Sequence, residues 1–184
     1  MYVNSRHELN VAEQRDSSNC DVRPDPADVC LLVIHNITLP LGDDRVDYID
    51  ALFCNTLDFS AHSSFSGLEH QRVSAHLLIS RDGGVLQYVP FHKRAWHAGV
   101  SSWNGRMSCN DYAIGVELQG TDTQAYTEVQ YDVLAEVVGA LLQHYPRLSY
   151  SHIVGHQEIS PGRKTDPGSC FDWQRLYSEI DLIG

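Results

Sequence analysis

A chain of 184 residues, 42% apolar and 20% charged, has the size and balance of one globular domain, which excludes a disordered chain or a coiled coil. Acids outnumber bases 24 to 13, and the net charge of −11 removes the basic surface on which non-specific binding to nucleic acid depends. No apolar run approaches the ~18 residues of a membrane span and Met1–Cys20 carries no apolar signal region, so a cytoplasmic protein with no membrane partner is expected.

Residues 1–19 read as a polar lead-in without an amphipathic period, and residues 20–184 as a single domain. Val29–Ile34 (VCLLVI) is an unbroken apolar run, which predicts a strand buried on both faces that delivers His35 at its end. A Pro/Gly/Asp loop over Leu39–Asp44 precedes a short helix around Val46–Phe53, where Val46, Ile49, Leu52 and Phe53 recur at helical spacing. Asn55–Gln71 is polar and aperiodic, a loop of a length that is usually functional or mobile. Val73–Ile79 and Val85–Val89 flank Arg81-Asp82-Gly83-Gly84, the composition of a hairpin turn. After the polar, Trp-bearing stretch His92–Asn110, the run Tyr112–Leu118 alternates. Tyr112, Ile114, Val116 and Leu118 take one face, and Ala113, Gly115 and Glu117 the other. Glu128–Tyr145 is the clearest helix, with a wide apolar stripe, Thr127 and Gln130 at capping-box spacing, and Pro146 to end it. A strand around Tyr150–Val154 leads to His156, a Pro/Gly-rich loop holds Lys164 and Asp166, and Trp173–Ile180 closes the chain as a helix capped by Asp172. This order predicts an α/β domain with a central mixed sheet flanked by helices.

Five cysteines (Cys20, Cys30, Cys54, Cys109, Cys170) are odd in number, widely spaced and never in a CxxC pair, which favours mostly buried thiols over disulfides or a cysteine zinc site. Ten histidines are the compositional hint of chemistry. A zinc hydrolase needs three His or carboxylate ligands and one open position. His35, His156 and Asp166 are one candidate set; His62, His70 and His76 are another, closer in sequence, and there is no HExxH helix. Glu117 suits a general base if its face of the strand is covered, and plain solvation if it is not. Lys164, two residues before Asp166, is either an oxyanion stabiliser or a solvated loop cation. Trp96, His97 and Trp103, in KRAWHAGVSSWNG, can stack on a sugar or fill a core.

Seven motifs occur in order between Cys20 and Trp173: LLVIHNITLP, YIDALF, RVSAHLLISRDG, VLQYVPFHKRAWHAGVS, CNDYAIGVELQGTD, VGHQEISPGRKTDPG and FDW. On these the chain resembles the cytoplasmic 1,6-anhydro-N-acetylmuramyl-L-alanine amidases of the AmpD type, within the amidase_2 and peptidoglycan-recognition-protein superfamily. The resemblance implies a single amidase_2-like domain in which His35, His156 and Asp166 bind Zn2+. It implies that Glu117 is the catalytic base, that Lys164 stabilises the transition state, and that Asn36, Arg72, Ala95 and Trp96 line the substrate groove. The implied reaction is hydrolysis of the amide between (anhydro-)N-acetylmuramic acid and L-alanine of a small muropeptide, in peptidoglycan recycling, with an indirect effect on β-lactamase induction. One position departs from the pattern: Ser108 stands where a basic residue is expected, with Arg106 two residues upstream. Two other readings remain, an amidase of intact peptidoglycan of the autolysin or endolysin type and a muropeptide-binding module without catalysis. The acidic charge favours small soluble fragments over the polyanionic wall, and the complete candidate set argues against a module that only binds. A structural zinc would usually fill all four positions with protein ligands.

Overall fold

In the computed structural model, which describes residues 1–43 and 45–183, the apolar run that starts at Val29 becomes an interior strand of a six-stranded sheet. The elements in chain order begin with β1 (Glu13–Gln14), β2 (Cys20–Val22), β3 (Leu31–Ile37) and α1 (Asp47–Phe53). There follow β4 (Leu77–Ile79), β5 (Val85–Gln87), β6 (Lys93–Ala95), β7 (Ser102–Trp103), β8 (Arg106–Met107) and β9 (Ala113–Gln119). The chain ends with α2 (Glu128–His144), β10 (Ile153–Gly155), α3 (His156–Ile159) and α4 (Trp173–Ile183). Asp44, the last residue of the expected Leu39–Asp44 loop, lies outside the described residues, as does Gly184.

The sheet order is β1-β5-β4-β9-β3-β10. β4, β9, β3 and β10 run parallel, whereas β5 is antiparallel to β4 and parallel to β1, so the sheet is mixed as expected. Every residue of β9 is buried, the mark of a strand covered on both faces. On one face Leu32, Ile34, Ile114, Val116 and Leu118 form the main core with the apolar stripe of α2 and with Leu176 and Ile180 of α4. The other face carries two smaller clusters. One joins α1 to Leu78, Leu86 and Tyr88, and the other joins Leu31, Val33 and Ala113 to Ala98 and Ile159. His35 and Glu117, two positions on from Val33 and Gly115, point to this second face. The helix α2 starts at the predicted capping box, in which Thr127 and Gln130 bond each other's main-chain N–H groups, and Asp172 accepts from the Arg175 N–H at the start of α4.

Four features differ from expectation. The lead-in is packed onto the domain: Val3 and Leu9 are buried in the main core, and β1 pairs with β5. The predicted strand at Tyr150–Val154 is a 3-10 turn over Tyr150–His152 followed by β10, and the polar stretch before Asn110 holds the hairpin of β7 and β8. Of the five cysteines, all free, only Cys109 is buried; Cys20, Cys30 and Cys54 are half-buried and Cys170 is exposed.

Candidate active site

Parallel register assembles the site. His35 in β3 stands opposite Glu117 in β9, and Ile34 stands opposite Gly155 in β10, so that His156, the next residue, emerges beside His35 at the carboxyl ends of the strands. Glu158 then accepts the Gly155 N–H and fixes the start of α3. The Gln157 N–H donates to the Asp166 carbonyl at 3.0 Å, which folds the following loop back on the helix and returns Asp166 to His156. The Nδ1 atoms of His35 and His156 are 2.9 Å apart, and Oδ2 of Asp166 lies 3.1 Å from the first and 2.9 Å from the second.

No arrangement of protons satisfies that triangle, because two imidazole nitrogens and one carboxylate oxygen cannot all donate and accept around a closed loop of three. A cation can. The sides are close to the roughly 3.3 Å edge expected between ligands about 2.0–2.1 Å from a tetrahedral metal ion. Among the described residues this is the one group of three ligand atoms close enough to share an ion. The second nitrogen of each ring also fits. Nε2 of His156 donates to the Ala98 carbonyl at 3.2 Å, which leaves Nδ1 as the lone-pair atom, and Nε2 of His35 lies 3.0 Å from Nδ1 of His97. The alternative set does not meet. His62 is exposed and bonded to Ser64, His70 is exposed, and His76 is buried with Nδ1 accepting the Gly115 N–H.

Electrostatics separate the two carboxylates. Burial opposes the charge of Asp166, but the adjoining His156 and His35 rings outweigh it and hold the carboxyl well below its ordinary range. Glu117 is pushed well above its ordinary value by burial first and by the Asp166 charge second, with Lys164 pulling the other way. Its Oε2 has no partner among the described residues. The face of β9 that carries Glu117 is thus covered, and plain solvation is not the reason for a carboxylate there. Burial, only partly offset by Asp166, lowers His35 to about 4, and burial together with His35 and His76 lowers His97.

A cavity of about 200 Å³ is lined by His35, Asn36, Trp96, His97, Glu117, His156, Lys164 and Asp166, closed on one side by Leu52 and Phe53 of α1. It adjoins a groove of about 480 Å³ past Asn36, Asp122 and Lys164. Asn36 donates to Asp122 and to the Pro167 carbonyl, at 2.8 and 3.1 Å. Half-buried Trp96 keeps Nε1 without a partner among the described residues. Ala95 is fully buried in the cluster beside α1, and Arg72 is exposed, its guanidinium donating to the Gln71 carbonyl at 3.1 Å, outside the residues that line the cavity. Arg106 is committed elsewhere: it pairs with Asp28 and lies 3.8 Å over the Tyr112 ring, at the opposite end of β3 and β9. Sequence reasoning did not find the contact of His97 with His35, or Arg163, which donates to the carbonyls of Ala98 and Val100 at 2.6 and 2.8 Å and ties that loop to α3. For His97 the signal was its place beside Trp96 in KRAWHAGVSSWNG; for Arg163 it was its place beside Lys164 in GRKTDPG.

Over residues 25–169 the chain matches the Amidase_2 family, described as N-acetylmuramoyl-L-alanine amidase. It is 56% identical over 172 residues to 1,6-anhydro-N-acetylmuramyl-L-alanine amidase AmpD of Citrobacter freundii, across 94% of this chain and 91% of that protein. A crystal structure of a selenomethionine AmpD derivative superposes with a TM-score of 0.94 at 52% identity, covering 98% of this chain and 99% of that one. The N-acetylmuramyl-L-alanine amidase AmiD of E. coli, solved with anhydro-N-acetylmuramic acid-L-Ala-D-gamma-Glu-L-Lys, superposes with a TM-score of 0.61 at 28% identity, covering 82% of this chain and 57% of that one. By the family match, the identity and the shared mixed sheet, the chain belongs to the N-acetylmuramoyl-L-alanine amidase family.

Proposed function

We propose that the protein is a zinc hydrolase of the cytoplasm that cleaves the amide between 1,6-anhydro-N-acetylmuramic acid and L-alanine in small soluble muropeptides. The observation that carries this reading is the triangle of His35, His156 and Asp166 with Glu117 beside it on the neighbouring strand. These three side chains would hold Zn2+, which when bound supplies a Lewis acid that acidifies water and polarises a carbonyl. Glu117 takes the proton from the attacking water, a task suited to a buried carboxylate whose proton affinity is raised above that of an ordinary Glu. It then hands that proton to the departing amino group of L-alanine. Lys164, whose charge already acts on Glu117, stabilises the oxyanion that forms on the lactyl carbonyl. Asn36 and Trp96 line the groove for the sugar and the first peptide unit, buried Ala95 supports the strand that presents Trp96, and Arg72 at the rim offers a guanidinium fork to a stem-peptide carboxylate.

The test is metal analysis of purified protein together with mass-spectrometric detection of peptide released from one defined anhydromuropeptide. Wild-type protein should carry one zinc and lose hydrolysis with a chelator. Glu117→Ala should retain zinc and lose activity by at least about 100-fold, whereas His35→Ala should lose both. Native-rate cleavage by Glu117→Ala would overturn the base assignment. Solubilisation of purified sacculi in preference to the soluble fragment would replace this reading with that of a wall-cutting amidase, which the net charge of −11 disfavours.

A further inference from the structure

The two histidines of the cluster are oriented by different means. The second ring nitrogen of His156, Nε2, donates its N–H to a main-chain carbonyl, that of Ala98, an acceptor that no substitution of that residue removes. Among the described residues no such carbonyl bonds the His35 ring. Its Nε2 meets a side chain, Nδ1 of His97, at 3.0 Å, and both rings are buried. An imidazole that turns the lone pair of Nδ1 towards a metal must carry its proton on Nε2. Nδ1 of His97 must then be an acceptor, which places the proton of His97 on its own Nε2.

The surroundings fix where the His97 ring lies, while its Nε2 is buried without a partner among the described residues. Oδ1 of Asn110 accepts the main-chain N–H groups of His97 and Ala98, at 3.1 and 2.8 Å, and so fixes the backbone from which the ring projects. The ring lies against Gly115 so closely that a Cβ there would stand 2.5 Å from it, so glycine at this position of β9 makes room for the imidazole. His76 meets its edge with ring centroids 5.7 Å apart and is itself anchored through the Gly115 N–H.

We propose that His97 is a positioning residue that fixes His35 in its metal-binding tautomer by accepting the His35 Nε2 proton on its own Nδ1. The proposal rests on the reading of His35, His156 and Asp166 as the zinc site. An outer partner of this type typically changes metal affinity by 10–100-fold. A ring that only filled space would be replaceable by Phe.

Two variants and one direct measurement test it. His97→Phe keeps the ring and removes the acceptor; His97→Asn removes the ring but places Oδ1 where the imidazole Nδ1 stood. Zinc dissociation constants come from competition with a chromogenic chelator, and the tautomers of His35 and His97 from 15N NMR of the zinc-loaded wild-type protein, which needs no variant to fold. The expected result is Nε2–H on both rings of the wild type, zinc bound roughly 10–100-fold more weakly by His97→Phe, and recovery to within a few-fold in His97→Asn. Nδ1–H on His35, zinc binding by His97→Phe within twofold of wild type, or an Asn variant no better than Phe would each overturn the proposal. A wild-type protein that binds no zinc would overturn the underlying reading and this proposal together. Unchanged affinity in His97→Phe beside a zinc-binding wild type would remove this proposal alone.

Discussion

A carboxyl group buried on β9 beside Asp166 resists ionisation, and Glu117 holds its proton more tightly in the folded protein than in the unfolded chain. The sign of the linkage follows. An unfolded Glu ionises near about 4.3; below that pH burial costs nothing, and above it the cost grows until the raised folded value is passed. Glu117→Gln should therefore stabilise the zinc-free protein, with a gain that is absent near pH 4, rises with pH, and amounts to about 1.4 kcal/mol for each pKa unit of the shift. Thermal unfolding of both proteins between pH 4 and 8 measures it. The same substitution should lower hydrolysis by about 100-fold to 10,000-fold, so the position trades stability for chemistry. Neither the burial nor the neighbour was legible in GVELQG alone, because alternation shows which face Glu117 takes but not what covers it.

At the scale of elements, α2 is tied to the sheet by its first turn. Oγ1 of Thr127 donates to the Arg81 carbonyl and accepts from the Gln130 N–H, while Nε2 of Gln130 donates to the carbonyls of Ile79 and Gln119 at the ends of β4 and β9. Thr127→Ala should cost about 1 kcal/mol. Gln130→Ala should cost more, about 2–4 kcal/mol, because it strands two buried carbonyls and the Thr127 N–H. Urea unfolding checks the order of the two, and zinc content should stay at the wild-type level in both. The elements with their own rhythm were the legible ones. The apolar run of β3, the alternation of β9, the stripe of α2 and the Asp/Gly turn between β4 and β5 all carry the pattern that their final environment requires. What stayed hidden takes its order from a partner: β1 is two residues long and exists by pairing with β5, and α3 is a four-residue helix set by Gly155 and Glu158.

Across the whole molecule, the candidate site joins residues 121 and 131 positions apart. Spacing could not choose between His35, His156 and Asp166 and the nearer histidines, since their meeting is a property of strand order. The resemblance chose among them, and the register of β3, β9 and β10 supplies the physical reason. The unfolded chain has no such cluster, so zinc should stabilise the fold by mass action. At a free concentration 1,000-fold above its dissociation constant it should add about 4 kcal/mol, raising the melting temperature by roughly 8–16 °C for a domain of this size. Calorimetry with and without chelator measures the shift, and an unchanged melting temperature would contradict a metal site at this position.

The lead-in also governs how molecules meet one another. β1 covers the outer side of β5, and beyond it the Arg15 and Ser17 N–H groups donate to the carbonyls of Gln87 and Tyr88 at 2.7 and 3.2 Å. Stripped of these residues, the sheet would end in a bare ladder of amides and carbonyls next to uncovered apolar side chains, a template on which strands of other copies stack. This short polar segment therefore acts as a guard against aggregation, as well as a cover for the core.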